Sequence, residues 1–231
     1  MPTLRSSSSL AFSVHPGEMF VKPTKSPTLN NGFVSRRLPA PCSCSIARIL
    51  HGMLVPNVVT LGSADAEAAL AGKQIQMTLN APRGKRLIEV TLAPGEILSF
   101  DLAYLVAFSK ELRLWTDIDF SMSSFGANRN FIQNAQGPGV LVFELNGEET
   151  KNSEHKFHFA PSRLVAWTPS LQFTFCGIGS VWDVYLNELM VLTTPAAQGS
   201  TILLDADAES SGVPGGVRSL FKLLKRVYNP L

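Results

Sequence analysis

Strict alternation of polar and apolar residues begins at Gln74 and predicts β-strands through the middle of the chain. Residues 74–79, QIQMTL, alternate at every position, and residues 88–92 continue in the same manner. A period of two is typical of a strand with one buried face. Residues 140–145, VLVFEL, predict a further strong strand.

Turn signals divide this region into short strands. Gly and Pro punctuate residues 93–96 (APGE) and residues 136–139 (QGPG), and Asn-Gly follows at residues 146–147. Many short strands at a spacing of roughly ten residues are typical of a sandwich or barrel. Since no long amphipathic helices intervene, a parallel α/β sheet is disfavoured. The sequence therefore predicts an all-β domain over residues 46–194, with clear strands from about residue 74.

An internal sequence repeat predicts that this domain is duplicated. Residues 104–114 read YLVAFSKELRL, and residues 163–173, which begin 59 positions later, read RLVAWTPSLQF. Similarity at a fixed offset indicates that one structural unit is used twice. We therefore predict a pseudo-symmetric β-sandwich or barrel in which Phe108 and Trp167 fill equivalent positions.

The first 45 residues differ in composition from the rest. They are rich in Ser and Pro and basic, with Glu18 as their one acidic residue. This composition is typical of an organelle transit peptide, and an ordinary disordered tail is the alternative. A short helix is predicted beyond it, over residues 63–71 (SADAEAALA), with Ser63 as its cap.

The end of the chain predicts a linker and a basic amphipathic helix. Residues 195–216 are mostly small and polar, whereas residues 217–231 carry four cations on one helical arc and apolar side chains on the other. Such a helix can lie on an anionic membrane. The alternative is that its apolar side packs against the β-domain or a neighbouring subunit. The predicted membrane-binding residues are Arg218, Leu220, Phe221, Lys222, Leu224, Lys225 and Arg226.

Charge and cysteine content narrow the function classes. The net charge is only +2, but it is unevenly distributed. Both ends of the chain are basic, whereas residues 49–216 contain 10 basic and 17 acidic residues. This balance argues against a nucleic-acid partner. Three cysteines do not make a disulfide framework, so a reducing compartment is favoured.

The residues that could bind a metal ion or take part in catalysis all have simpler structural interpretations. His155 and His158 are three apart, so on a strand they point to opposite faces and do not favour a shared metal ion. Cys176 is interpreted as a buried thiol. Asp117 and Asp119 would share a strand face, but aspartates on a solvated face are far commoner than an acid–base pair. No P-loop, G-x-S-x-G or dinucleotide motif is present. We therefore predict no catalytic, cofactor or metal residues.

Several of these motifs carry a resemblance to a known family. The run Glu89-Val90-x-Leu92-x-Pro94-Gly95-Glu96, the LVAF of residues 105–108 and the GPGV of residues 137–140 resemble the altered inheritance of mitochondria protein family. The GGVRSL of residues 215–220 is a weaker match. The resemblance covers about residues 74–194. It implies a fold like that of the tryptophan RNA-binding attenuation protein, association with the mitochondrial inner membrane, and no catalytic set.

The second copy departs from this pattern. It has Ala-Pro-Ser at residues 160–162 where a Pro-Gly-Glu turn would stand, so no ligand site at that turn is carried over. The sequence thus predicts a non-enzymatic, peripheral membrane scaffold of mitochondria that supports membrane architecture or complex assembly, with plastids as the alternative address. It is expected to form homo-oligomers or to join a membrane complex. The alternative function is a small-molecule-binding, cupin-like barrel, including an enzyme of that class.

Overall fold

The structure is a computed structural model of the full chain. It describes residues 2–14, 19–22, 25, 28–29, 33–36, 57–60, 75–118, 131–147, 158–159, 163–171, 174–176, 191–193 and 200–206.

The described residues form an all-β fold, which confirms the predicted class. Their strands are β1 (Thr3–Ser7), β2 (Ser9–Val14), β3 (Met19–Val21), β4 (Thr28–Leu29), β5 (Phe33–Arg36), β6 (Asn57–Thr60), β7 (Ile75–Asn80), β8 (Arg86–Leu92), β9 (Ile97–Phe100), β10 (Leu105–Ser109), β11 (Arg113–Ile118), β12 (Phe131–Gln136), β13 (Gly139–Leu145), β14 (His158–Phe159), β15 (Leu164–Trp167), β16 (Thr174–Cys176), β17 (Val191–Thr193) and β18 (Ile202–Leu204).

These strands make four antiparallel sheets. The seven-stranded sheet has the order β1-β8-β13-β10-β3-β6-β5, and the five-stranded sheet has the order β11-β12-β9-β15-β18. Two three-stranded sheets have the orders β2-β7-β4 and β14-β17-β16. Within the described part of the chain, no helix is long and apolar enough to cross a membrane.

Alternating residues of the strands pack into different hydrophobic clusters. In β13, Leu141, Phe143 and Leu145 join a central cluster that contains side chains of the seven-stranded and five-stranded sheets. Val142, which lies between them, joins a first outer cluster with Leu10 of β2. Because side chains alternate across a strand, the seven-stranded sheet is covered on both faces.

The clusters show that the sheets are stacked in layers. The first outer cluster holds residues of β2 and β7 against the seven-stranded sheet, and the central cluster joins that sheet to the five-stranded one. A second outer cluster places Phe159 of β14 with Trp167 and Leu204 of the five-stranded sheet. The order is therefore small sheet, seven strands, five strands, small sheet.

The repeated LVA segments occupy equivalent strands. β10 pairs with β13 and β15 pairs with β18, and both pairings shift register at the Val of the motif, Val106 and Val165. The next hydrogen bonds also match, because Glu144 N donates to Tyr104 O and Asp205 N donates to Arg163 O. This shared irregularity is what a duplicated unit would produce.

The two copies interleave along the chain. The seven-stranded sheet contains the run β13-β10-β3-β6-β5, and the five-stranded sheet, followed from its other edge, has the order β18-β15-β9-β12-β11. Strands at the same place in the two runs correspond, so β3, β5, β6, β10 and β13 have β9, β11, β12, β15 and β18 as their counterparts, in the same order along the chain. β9 precedes β10 in sequence, so the second copy begins before the first one ends. The copies are therefore not successive halves of the chain.

The copies also present opposite faces to the central cluster. In β10 the outer residues of the motif, Leu105 and Phe108, join this cluster, whereas in β15 the inner residues, Val165 and Ala166, do so. Trp167 packs in the second outer cluster instead. Phe108 and Trp167 are thus equivalent in strand position, as predicted, but they fill different cores.

The Pro-Gly-Glu and Gly-Pro-Gly motifs meet where the chain passes between the two large sheets. Gly137 N donates to Glu96 O at 2.9 Å, and Gly95 N donates to Gly137 O at 3.4 Å. A Cβ atom at Gly137 would lie 2.3 Å from Ala93 O, so this close approach requires glycine. The β8–β9 and β12–β13 connections therefore form one packed junction.

The predicted disordered leader differs from the structure. Residues 1–45 contain β1 to β5; β1 pairs with β8 along five residues, and β3 pairs with β10. Leu10 and Val21 are fully buried. In β1 and β2, Arg5, Ser9 and Ser13 are exposed, so a basic, Ser-rich composition is compatible with strands that have one exposed face.

The predicted linker differs as well. Within residues 195–216, β18 pairs with β15, and Ile202, Leu203 and Leu204 are all buried. Three consecutive apolar residues flanked by small ones are enough for a short strand covered on both faces. The helices predicted at residues 63–71 and 217–231 lie outside the described residues.

Candidate functional site

The residues predicted from the sequence to bind membrane lie outside the part of the chain that the structure describes. This holds for Arg218, Leu220, Phe221, Lys222, Leu224, Lys225 and Arg226. His155, Asp119 and the side chain of Cys176 also lie outside it. Among the described residues, no group of His, Cys, Asp and Glu side chains could hold a metal ion.

Asp117 is described, and it belongs to a polar network on the five-stranded sheet. Its Oδ2 atom accepts a hydrogen bond from Asn134 Nδ2 at 2.7 Å, and Asn134 Oδ1 accepts one from Ser99 Oγ at 2.6 Å. Ser99 and Asn134 are buried. Since this chain of bonds contains no basic side chain to take a proton, it fits a structural role for Asp117.

A group of cations lies at one end of the seven-stranded sheet. We call it the basic end: Lys25, Arg83, Lys85 and Arg86. The β7–β8 turn carries Arg83 and Lys85, and Arg86 is the first residue of β8. The turn is closed by Lys85 N donating to Pro82 O at 3.0 Å. Gly84 takes a positive φ of 81° in this turn, with open space around it. Arg83 and Arg86 are exposed.

Glu144, near the end of β13, holds two of these cations. Lys85 Nζ donates to Glu144 Oε1 at 2.8 Å, and Lys25 Nζ is paired with Glu144 Oε2. The Glu144 side chain is only 10% exposed, and that of Lys85 is 39% exposed. Burial alone would raise the pKa of Glu144, but the bonds and charges of the two lysines outweigh it and lower this pKa below its ordinary value.

The equivalent place in the second copy holds Asp205. This residue is fully buried, and its carboxylate accepts hydrogen bonds from Asn146 N and from Asn146 Nδ2, at 3.2 Å and 3.1 Å. Arg163 Nε donates to Asp205 O at 2.9 Å. Both copies thus place a carboxylate beside the end of the LVA strand, and in both it is enclosed by donors.

Among the described side chains of the basic end, the four cations outnumber the Glu144 carboxylate that binds two of them. Arg83 and Arg86 are exposed. At the opposite end of the sheet, exposed Lys110 lies next to exposed Glu111, so the charges there are mixed. Clustered cations on an ordered turn attract anionic surfaces.

Sequence reasoning missed this site because its members are far apart in the chain. Lys85 and Glu144 are separated by 59 residues, and Lys25 lies in the segment that was expected to be a leader. The Arg-Gly-Lys-Arg run of residues 83–86 was the available signal, since a basic turn follows directly after the strictly alternating strand β7.

Comparison with known proteins supports the fold. No family model matches the chain, and no curated protein matches it. The chain is similar to the crystal structure of a Streptococcus pyogenes protein solved as a structural genomics target, with a TM-score of 0.56 and 11% identity. The match covers 98% of this chain and 100% of that one.

Proposed function

We propose that this protein is a non-enzymatic scaffold that lies on an anionic organelle membrane and supports membrane architecture or complex assembly. The basic end is the observation that carries this proposal. It gathers Lys25, Arg83, Lys85 and Arg86 at one end of a sheet, with Glu144 enclosed between two of them. Cations gathered at one end of a sheet are suited to contact with anionic lipid headgroups.

The C-terminal segment supports the same function. Residues 217–231 carry four basic and no acidic residues, and their sequence predicts a basic amphipathic helix. Each Lys or Arg near an anionic membrane contributes about 1 kcal/mol. The folded basic end and the tail together then provide two contacts with one surface, which is the arrangement that stable peripheral binding requires.

The mitochondrial inner membrane is the proposed address, with plastids as the alternative. The basis is the basic, Ser-rich beginning of the chain and the resemblance to the altered inheritance of mitochondria proteins. Because β1 to β5 belong to the fold, a targeting signal within residues 1–45 has to remain in the mature protein. The proposed protein works as an oligomer or as part of a membrane complex, and it needs no cofactor.

Flotation of the full chain with liposomes tests the membrane claim. We expect co-flotation with vesicles of phosphatidylcholine plus cardiolipin, and none with phosphatidylcholine alone. Salt at about 1 M, where the Debye length is about 3 Å, should release the protein. The Lys222→Glu, Lys225→Glu variant should lose binding, and unchanged flotation of this variant would remove the claim for the tail.

A matched pair of single variants tests the basic end. Arg83→Glu and Lys110→Glu make the same charge change on exposed turns at opposite ends of the seven-stranded sheet. We expect Arg83→Glu to weaken flotation and Lys110→Glu to leave it unchanged. Equal effects of the two would show that net charge, and not the basic end, controls binding.

A further inference from the structure

The Asn-Gly pair that follows strand β13 takes part in a contact between the two large sheets. Asn146 N donates to Asp205 Oδ1 at 3.2 Å, and Asn146 Nδ2 donates to Asp205 Oδ2 at 3.1 Å. β13 ends at Leu145 in the seven-stranded sheet, and β18 ends at Leu204 in the five-stranded sheet. The contact therefore links the ends of two strands that belong to different sheets.

Asn146 and Gly147 also have the arrangement in which an asparagine side chain can lose ammonia. In this reaction the backbone nitrogen of the next residue attacks the asparagine Cγ atom, and glycine permits the approach because it has no Cβ atom. The pairing of β13 with β8 ends at Leu145 opposite Arg86, so Gly147 lies beyond the strand ladder. Among the described residues, no hydrogen bond is donated by Gly147 N, and Asn146 is exposed to water. The attacking nitrogen is therefore free and the amide is accessible.

We propose that Asn146 is a deamidation site and that its modification breaks the contact with Asp205. The new bond joins Gly147 N to Asn146 Cγ, the bond from Cγ to Nδ2 breaks, and ammonia leaves with the proton that Gly147 N gives up. Water then opens the resulting succinimide ring at either of its carbonyl carbons, which leaves aspartate or isoaspartate at position 146. Water is consumed and ammonia is released, so no electrons are transferred.

The product places a carboxylate where the unmodified chain has a hydrogen-bond donor. Asp205 is fully buried, and its Oδ2 atom accepts a bond from the Asn146 amide. A carboxylate at position 146 has no hydrogen to donate and carries the same charge as Asp205. Like charges that share a site disfavour each other, and burial limits the screening by salt. The modified chain is therefore expected to lose the link between β13 and β18 at neutral pH.

The chain contains an internal reference for this reaction, because Asn31-Gly32 is a second Asn-Gly pair in the sequence. The full chain is incubated in mildly alkaline buffer, with and without urea, and peptide mapping by mass spectrometry follows the conversion of both pairs. In urea both should convert. Without urea we expect Asn146 to convert to aspartate and isoaspartate. The Gly147→Ala variant should lose most of this conversion, because a methyl group hinders the attack.

Two substitutions separate the charge of the product from the loss of a hydrogen bond. Asn146→Asp carries the side chain of the product, whereas Asn146→Ala removes the amide without adding a charge. We expect Asn146→Asp to lower the melting temperature by at least about 4 °C, and by more than Asn146→Ala does. In an Asp205→Asn background the Asn146→Asp change should cost clearly less, because two carboxylates no longer meet.

Two results would overturn the proposal. One is a folded chain in which Asn146 stays unmodified over the time in which it converts in urea. The other is an Asn146→Asp variant that melts like the wild type, or that loses as much stability in the Asp205→Asn background as without it. These measurements contain no lipid, so they decide the deamidation site independently of the proposed membrane function.

Discussion

Glu144 is held by two lysines from distant parts of the chain, and this arrangement makes a prediction about acid stability. The pKa of Glu144 in the folded protein lies below the ordinary value of 4.5, so its charged form is stabilised by folding. The contribution is therefore present above about pH 4.5 and is lost as the pH falls through the lowered pKa. Replacing this carboxylate should cost about 1–3 kcal/mol at neutral pH.

Urea unfolding of the Glu144→Gln variant measures this contribution. At pH 7 the variant should be less stable than the wild type, and the difference should shrink as the pH is lowered below about 4.5. Glu111→Gln, on an exposed turn, is the control and should change little. A stability difference that does not depend on pH would mean that packing, and not the charge of Glu144, holds the two lysines.

At the scale of elements, the junction between the two sheets shows what a short motif can reveal. The Gly and Pro residues predicted two turns, and both turns are present. That they lie against each other could not be predicted, because their contact depends on β9 pairing with β12 while β8 pairs with β13. These pairings join residues 33 to 59 positions apart, and periodicity along the chain carries no information about contacts at that separation.

Two glycine variants separate close packing from backbone strain at such turns. Gly137→Ala pushes a Cβ atom against Ala93 O and Leu92 O, whereas Gly84→Ala meets nothing within 4 Å and suffers only from its positive φ. We expect Gly84→Ala to cost about 1–2 kcal/mol and Gly137→Ala to cost clearly more, about 3 kcal/mol or above. Thermal unfolding measures the loss of stability in both variants. Equal losses would show that the junction accommodates a Cβ atom at position 137 without additional cost.

For the whole molecule, alternation and turn spacing were sufficient for the fold class but not for the topology. The strands β7, β8 and β13 have clear periodicity, and the repeated LVA motif indicated the positions of β10 and β15. The other strands of the two copies retain no visible similarity, so their interleaving could not be inferred. The N-terminal strands were missed because composition outweighed pattern, although residues 9–14 (SLAFSV) alternate. The same error removed Lys25 from the candidate site.

Removal of residues 1–45 distinguishes a cleavable leader from an integral part of the fold. The described part of this segment includes five buried apolar side chains: Leu10, Val14, Met19, Phe20 and Val21. At about 1.5–3 kcal/mol each, their combined burial is comparable to the whole stability of a typical domain, about 5–15 kcal/mol. The seven-stranded sheet would also lose β1, β3 and β5, which exposes the backbone of β8 and β10. We therefore expect residues 46–231 to lack a cooperative thermal transition and to be digested rapidly by protease, while the full chain resists. A shortened chain that melts like the full one would show that β1 to β5 add nothing to the stability of the fold, and would restore the leader interpretation.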